Sequence, residues 1–323
     1  MQNDRVGYLA AKGFDTELRD ELERHGVHVN AIRGRLLLAD GYHPAAWAQN
    51  IWLDPVFLPV SSIGNAVKAL KAIQRNWHLH PTGNYRRAAL IEQQLPPVKH
   101  KAMTFGEPAP QSPLGSWTLW ESDMLLASAA CSSPFPDGEV RFVEDKANPP
   151  SRAYLKLWEV FTVTGVKPDK GDLCIDLGAS PGGWTWVLAS LGAHVFSIDK
   201  SPLELSVASM DNVDFCQGSG FGLDPETVGQ ADWLFSDMAC YPDRLLRTVL
   251  RWLEHGAALN YVCTIKLQGK TDHDIVQSLG EIPGSKLMHL SCNKHELTWI
   301  NLAQWRSRSQ SGIDAARPLR SIA

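Results

Sequence analysis

No apolar run in this 323-residue chain reaches the roughly 20 residues that a membrane-spanning helix needs. The opening Met1-Gln2-Asn3-Asp4-Arg5 has neither the basic flank nor the apolar stretch of a secretory signal, so the expected location is the cytoplasm. Cysteine is scarce, and Cys131, Cys174, Cys216, Cys240, Cys263 and Cys292 show no C-x-x-C spacing. That argues against a disulfide scaffold and against a zinc site. It predicts small core thiols in a reducing compartment and no bound metal. Charge of one sign is missing too. With 31 Lys and Arg against 35 Asp and Glu the net charge is −4, so a basic footprint for nucleic acid can only be local. The G-x-G-x-x-G turn of a dinucleotide site is absent, which disfavours a dehydrogenase.

What is present is an ordinary globular composition, 44% hydrophobic and 20% charged, in a chain long enough for two domains. Its most informative stretch is Asp176-Leu177-Gly178-Ala179-Ser180-Pro181-Gly182-Gly183-Trp184-Thr185. The apolar Leu173, Cys174 and Ile175 before it read as a buried strand, and Trp186 to Ala189 after it as a helix. A strand, a glycine turn and a helix open a doubly wound sheet. Glycine lets the backbone pass close to a ligand, while Pro181 removes an amide that a pyrophosphate would want. The loop suits a cofactor with an amino-acid end and a nucleoside end, namely S-adenosylmethionine. The next strand, His194 to Ile198, ends in Asp199, where a carboxylate can accept both ribose hydroxyls.

Domain boundaries follow from composition. Residues 1–145 read as a separate α/β module, 146–305 as a Rossmann-like domain and 306–323 as a basic tail. In the module, strands are expected at Val6–Ala10, at Leu36–Leu38 and within Ile51–Val60. A helix carrying Leu18 and Leu22 closes at Gly26, and Ser62 caps another with Val67, Leu70 and Ile73 on its apolar side. The proline-rich stretch from Pro96 to Pro136 gives no clear elements. Asn148-Pro149-Pro150-Ser151 marks the break. Beyond it, helices are expected at 153–161, 184–191, 202–209, 243–254 and 272–280. Strands are expected at 173–177, 194–198, 213–216, 232–236, 259–266, 286–291 and 296–303. Alternation implies a parallel sheet, and the last two strands imply an antiparallel pair at its edge.

Two local basic patches stand out. The tail from Arg306 carries four arginines (306, 308, 317, 320) against Asp314, which is +3 and leaves −7 on the rest. It reads as a solvated terminus rather than a clamp for RNA. Arg75 to Arg87, preceded by Lys68 and Lys71 and interleaved with Trp77, His78, His80 and Tyr85, reads equally as an RNA patch and as a helix end with a loop.

Four ionisable residues fall at the ligand-binding ends of this topology: Lys156 before the glycine loop, Asp237 after the fourth strand, Lys266 ending the fifth and Glu296 beginning the last. A hydroxyl becomes a nucleophile by losing its proton, and a lysine accepts that proton only when neutral. Two crowded lysines repel, which favours one neutral amine. Lys266 is therefore expected as general base, tuned and positioned by Lys156, Asp237 and Glu296.

Those four residues in that order, together with Pro150 to Leu157, Asp176 to Thr185, Ser236-Asp237-Met238 and Lys294-His295-Glu296, resemble the FtsJ-like ribose 2′-O-methyltransferases, which use a Lys-Asp-Lys-Glu tetrad. The resemblance covers residues 150–305 and is closest to the branch that methylates a cytidine ribose of large-subunit ribosomal RNA. It implies methyl transfer from S-adenosylmethionine to RNA, most naturally 23S ribosomal RNA, with transfer RNA or catalytically silent RNA binding as the alternatives. It implies cofactor contacts from Ser151, Gly178, Ser180, Pro181, Gly182, Gly183, Asp199, Ser219 and Asp237. Ser219 stands where the family usually has an acid, and Ser180 where it usually has cysteine. By the same resemblance the first 145 residues are expected to hold a THUMP-like or ferredoxin-like RNA-recognition module.

Overall fold

The computed structural model describes residues 4–98 and 101–310, with side chains through Arg306 in the last helix. It divides into two compact units, residues 1–142 and 143–323. None of the helices among the described residues is long and apolar enough to cross a membrane.

The first unit begins with β1 (Arg5–Ala10), α1 (Asp15–Arg24), β2 (His28–Arg33), β3 (Leu36–Asp40) and β4 (Ala48–Trp52), whose strands form an antiparallel sheet in the order β2-β3-β1-β4. β2 was not expected, because its burial alternates half-exposed with exposed and its sequence lacks an apolar run. Gly26 follows α1 in the left-handed conformation that ends helices. β5 (Val56–Pro59), α2 (Ile63–Ile73), β6 (Trp77–Leu79), α3 (Tyr85–Glu92), β7 (Gly115–Glu121) and β8 (Met124–Ser128) build a second sheet, ordered β5-β8-β7-β6. The apolar stretch from Ile51 to Val60 is thus two strands in two sheets. Ser62 caps α2 by accepting from the Asn65 amide at 3.1 Å. Val67 and Leu70 are buried as expected, but Ile73 is exposed.

The basic and aromatic segment is mostly committed to this unit's interior. Trp77 packs with Leu70, Leu79, Ile91 and Trp117, and its indole donates to the Leu70 and Gln74 carbonyls at 3.0 Å. His80 bonds the Asp137 carboxylate at 3.0 Å, and His78 approaches it at 3.2 Å. Of the interleaved aromatic residues, only Tyr85 is largely exposed.

The second unit opens on α4 (Tyr154–Thr164) and alternates β9 (Leu173–Leu177), α5 (Gly183–Ser190), β10 (His194–Asp199), α6 (Leu205–Ala208), β11 (Val213–Gln217), α7 (Pro225–Val228), β12 (Ala231–Ser236), α8 (Pro242–Glu254), β13 (Ala258–Lys266) and α9 (His273–Gly280). β14 (Ser285–Met288), β15 (Glu296–Asn301) and α10 (Ala303–Gln310) complete it. The seven strands are ordered β11-β10-β9-β12-β13-β15-β14. Neighbours from β11 to β13 are parallel, and β15 is antiparallel to both β13 and β14. β15 therefore lies inside β14, which it follows in the chain. β12, β13 and β15 hold six to nine consecutive, mainly buried residues, the pattern of strands covered on both faces. Strand order reverses between β9 and β12, and a crevice at the carboxyl ends of such strands is where open α/β sheets bind ligands.

The cysteines are all free. Cys174, Cys240 and Cys263 are buried, whereas Cys216 at the end of β11 is exposed rather than a core residue. Arg306, the first residue of the expected tail, is docked: it donates to Asn301 Oδ1 at 2.7 Å and to the Leu259 carbonyl. Residues 311–323 of that tail lie outside the described residues.

Candidate active site

Two strand ends, one strand start and one helix start bring four charges to one point. Lys156 lies in the first turn of α4, Asp237 directly follows β12, Lys266 closes β13 and Glu296 opens β15. The antiparallel register sets Lys266 directly opposite Glu296. Lys156 Nζ is 3.0 Å from Asp237 Oδ1 and 2.6 Å from Glu296 Oε1. Lys266 Nζ is 2.6 Å from Asp237 Oδ1 and 2.8 Å from Glu296 Oε2. Positive and negative groups alternate around a closed ring, so every ammonium touches both carboxylates.

This arrangement changes the electrostatic argument made from sequence. Repulsion from Lys156 does not prevail at Lys266, because a carboxylate lies on each side of it. Burial disfavours the Lys266 ammonium, yet Asp237 and Glu296 outweigh it and raise its pKa above the ordinary lysine value. Burial likewise disfavours the Asp237 carboxylate, but Lys156 and Lys266 prevail and hold it below the usual range. The ring members differ in access. The Lys156 and Glu296 side chains are 9% exposed and Lys266 is 23% exposed, so Lys266 is the lysine that can meet an incoming acceptor.

The glycine loop sits at the β9 end of the crevice. Gly178 has φ +81°, and a Cβ there would fall 2.4 Å from Met238 Cγ, so the chain turns there only as glycine. Ser180 donates its amide to Asp199 Oδ2 at 3.1 Å and its hydroxyl to the Pro202 carbonyl at 2.9 Å, while the Pro181 carbonyl accepts from the Glu204 amide at 3.0 Å. Gly182 leads into α5. The space a Cβ at Gly183 would fill lies 2.5 Å from Ser151 Oγ, which places Ser151 against this helix start. The Gly218 amide donates to the Asp199 carbonyl at 2.9 Å, so Ser219 follows directly on the contact that joins the ends of β10 and β11.

These groups fit S-adenosylmethionine. The N-terminus of α5 and Ser151 offer donors for an amino-acid carboxylate. Asp199 uses one lone pair of Oδ1 on the Ser201 amide and one of Oδ2 on Ser180, leaving both oxygens able to accept from ribose hydroxyls. Asp176 lies beneath the loop, fully buried, with Oδ2 accepting from Thr185 Oγ1 at 2.7 Å and Oδ1 orphaned. Burial pushes its pKa up to about 7.

Sequence reasoning missed a buried acid beside this site. Glu159 on α4 is 5% exposed, and its carboxylate accepts from the Ser291 amide at 2.9 Å through each oxygen and from the Ser291 hydroxyl at 2.9 Å. The available signal was an acid inside the apolar run from Tyr154 to Phe161, one turn beyond Lys156.

An FtsJ-like methyltransferase family model matches residues 149–282. Ribosomal RNA large subunit methyltransferase M from Xanthomonas axonopodis pv. citri is 31% identical over 303 residues, covering 81% of this chain and 86% of that protein. The protein of the same name from Xanthomonas oryzae pv. oryzae strain PXO99A is 28% identical over 304 residues, with the same coverage. Among solved structures, TrmN from Thermus thermophilus aligns over 92% of this chain and 98% of its own at 11% identity and a TM-score of 0.35.

Proposed function

Since this chain belongs to the family of ribosomal RNA large subunit methyltransferase M, we propose that its ring of charges is where a ribose 2′-hydroxyl of large-subunit ribosomal RNA receives a methyl group. The protein is an S-adenosylmethionine-dependent RNA methyltransferase. The cofactor supplies an electrophilic methyl group on a positively charged sulfur. The protein's own residues do the rest. Asp199 accepts the ribose hydroxyls. The loop from Gly178 through Ser180, Pro181, Gly182 and Gly183, with Ser151, takes the amino-acid end, and Ser219 flanks the nucleoside. Asp237 joins the cofactor crevice to the ring.

Lys266 Nζ is the atom that accepts the 2′-hydroxyl proton. In the free ring Asp237 and Glu296 favour its ammonium form, so only a small fraction can act as base near neutral pH. A further positive charge arriving beside Lys266 lowers its pKa, which increases that fraction when the site is loaded. Lys156 holds Asp237 and Glu296 in place. A general base of this kind contributes about 100-fold to about 10,000-fold in rate.

The single observation that carries the reading is the alternating contact of both lysines with both carboxylates, between 2.6 and 3.0 Å. On the same reading, residues 1–145 are an RNA-recognition module of THUMP-like or ferredoxin-like type, residues 146–305 are the catalytic domain, and the protein works in the cytoplasm. The deciding experiment maps ribose methylation across total RNA from cells with and without the protein. One lost 2′-O-methyl group in large-subunit RNA supports the assignment. A loss in transfer RNA instead moves the substrate, and an unchanged map removes the function.

A further inference from the structure

We propose that Glu159 is a positioning residue for methyl transfer: through Ser291 it fixes the segment that delivers Glu296 and so keeps the ring of charges closed. The proposal rests on reading the ring as the site of transfer.

Glu159 and Lys156 are three residues apart on α4, and residues at that spacing share a helix side. Burying a carboxylate is costly unless hydrogen bonds compensate it. Here Ser291 contributes to that compensation with both its amide and its hydroxyl. Charge-assisted bonds of this type are about twice as strong as neutral ones. Ser291 stands in the connection between β14 and β15, the segment that turns the chain from the sheet edge inward. Its far end is fastened independently. Asn293 Nδ2 donates to the Glu296 carbonyl and to Thr298 Oγ1, both at 3.2 Å, and the Leu267 amide donates to the His295 carbonyl at 3.2 Å. The path closes on itself, from Glu159 to Ser291, along the segment to Glu296, across 2.6 Å to Lys156 and back along α4. This path restrains Glu296 in addition to the register that pairs it with Lys266. The ion pairs of the ring run between Lys156, Asp237, Lys266 and Glu296, and Glu159 acts on them through the segment it anchors.

The test uses the full-length protein, tritiated S-adenosylmethionine and an unmodified transcript of large-subunit ribosomal RNA. For E159Q and S291A, kcat falls by at least about tenfold, as expected for a reacting group displaced by a fraction of an ångström, while KM for the transcript and cofactor affinity stay within about twofold. S291T, which keeps a hydroxyl, regains most of the lost rate. In ¹³Cε-lysine NMR the Lys266 titration midpoint moves down towards the ordinary lysine value, because Glu296 no longer holds the ammonium firmly. If E159Q does not fold, S291A carries the test. Wild-type kcat in both variants overturns the proposal. So does a rate loss matched by an equal loss of cofactor affinity with the lysine midpoint unmoved, since that marks a merely structural contact. Should the wild-type protein methylate no transcript, the functional reading fails separately, and the lysine midpoint in the variants still decides whether Glu159 positions the ring.

Discussion

Lys266 and Glu296 are register partners across β13 and β15, and their side chains close to 2.8 Å at the end of that ladder. The backbone pairing thus sets a candidate base and its carboxylate side by side before either side chain chooses a rotamer. Removing the Lys266 amine therefore takes a partner from both carboxylates at once.

Lys266→Ala should lower methyl transfer by about 1,000-fold, within the usual contribution of a general base. Cofactor affinity, read by calorimetry, should hardly move. Lys266→Arg should be equally slow, because a guanidinium does not release its proton in proteins. Full activity in either variant removes Lys266 from the mechanism.

The pH profile follows from the raised Lys266 pKa. A base must be neutral, and its neutral fraction grows about tenfold per pH unit below its pKa. Single-turnover transfer should therefore climb steadily through the alkaline range in which the protein stays folded. A plateau beginning below neutral pH contradicts the assignment.

Removing one member of a buried ion pair leaves its partner uncompensated, at a cost of about 3–5 kcal/mol. Lys156→Met should destabilise the protein by about that amount in urea unfolding. Adding Glu296→Gln to it should cost less than the sum of the two single changes, since the pair is then removed together. Strict additivity means that the two groups do not interact in solution.

Asp199→Ala should weaken S-adenosylmethionine binding by about tenfold to about 100-fold, the range for hydrogen bonds to a charged group. Calorimetry on the variant checks this. Undiminished affinity places the ribose elsewhere.

In the first unit, burial disfavours ionised Asp137, but hydrogen bonds from His78 and His80 outweigh it and depress its pKa. A depressed carboxyl contributes stability that is present above its unfolded pKa of about 3.9 and is lost as pH falls through the lower folded value. Asp137→Asn should flatten the acid side of the stability curve. An identical acid transition in both proteins excludes this contribution.

Much of the second unit was legible because its central strands are buried on both faces, with apolar runs in β9, β12 and β13, and because glycines punctuate the first turn. α7 and α10 were not expected: one has four residues, and the other lacks an apolar stripe. The four ring residues were identifiable individually from their places at element ends. Their alternation was not, since sequence order says nothing about which carboxylate faces which amine, and the expectation of a neutral lysine failed on that point. Glu159 escaped notice because its partner lies 132 residues away. Trp77, His78 and His80 resembled a stacking surface until Asp137 and the core claimed them.

β15 lies between β13 and β14 although it follows both in the chain. A ribosome making this protein therefore releases nearly the whole second unit before the place between β13 and the edge strand can be filled. Since Glu296 arrives only with that strand, a nascent or prematurely ended chain carries three of the four charges and an open slot. Both lysines then keep Asp237 as a partner but lose the carboxylate that closes the ring.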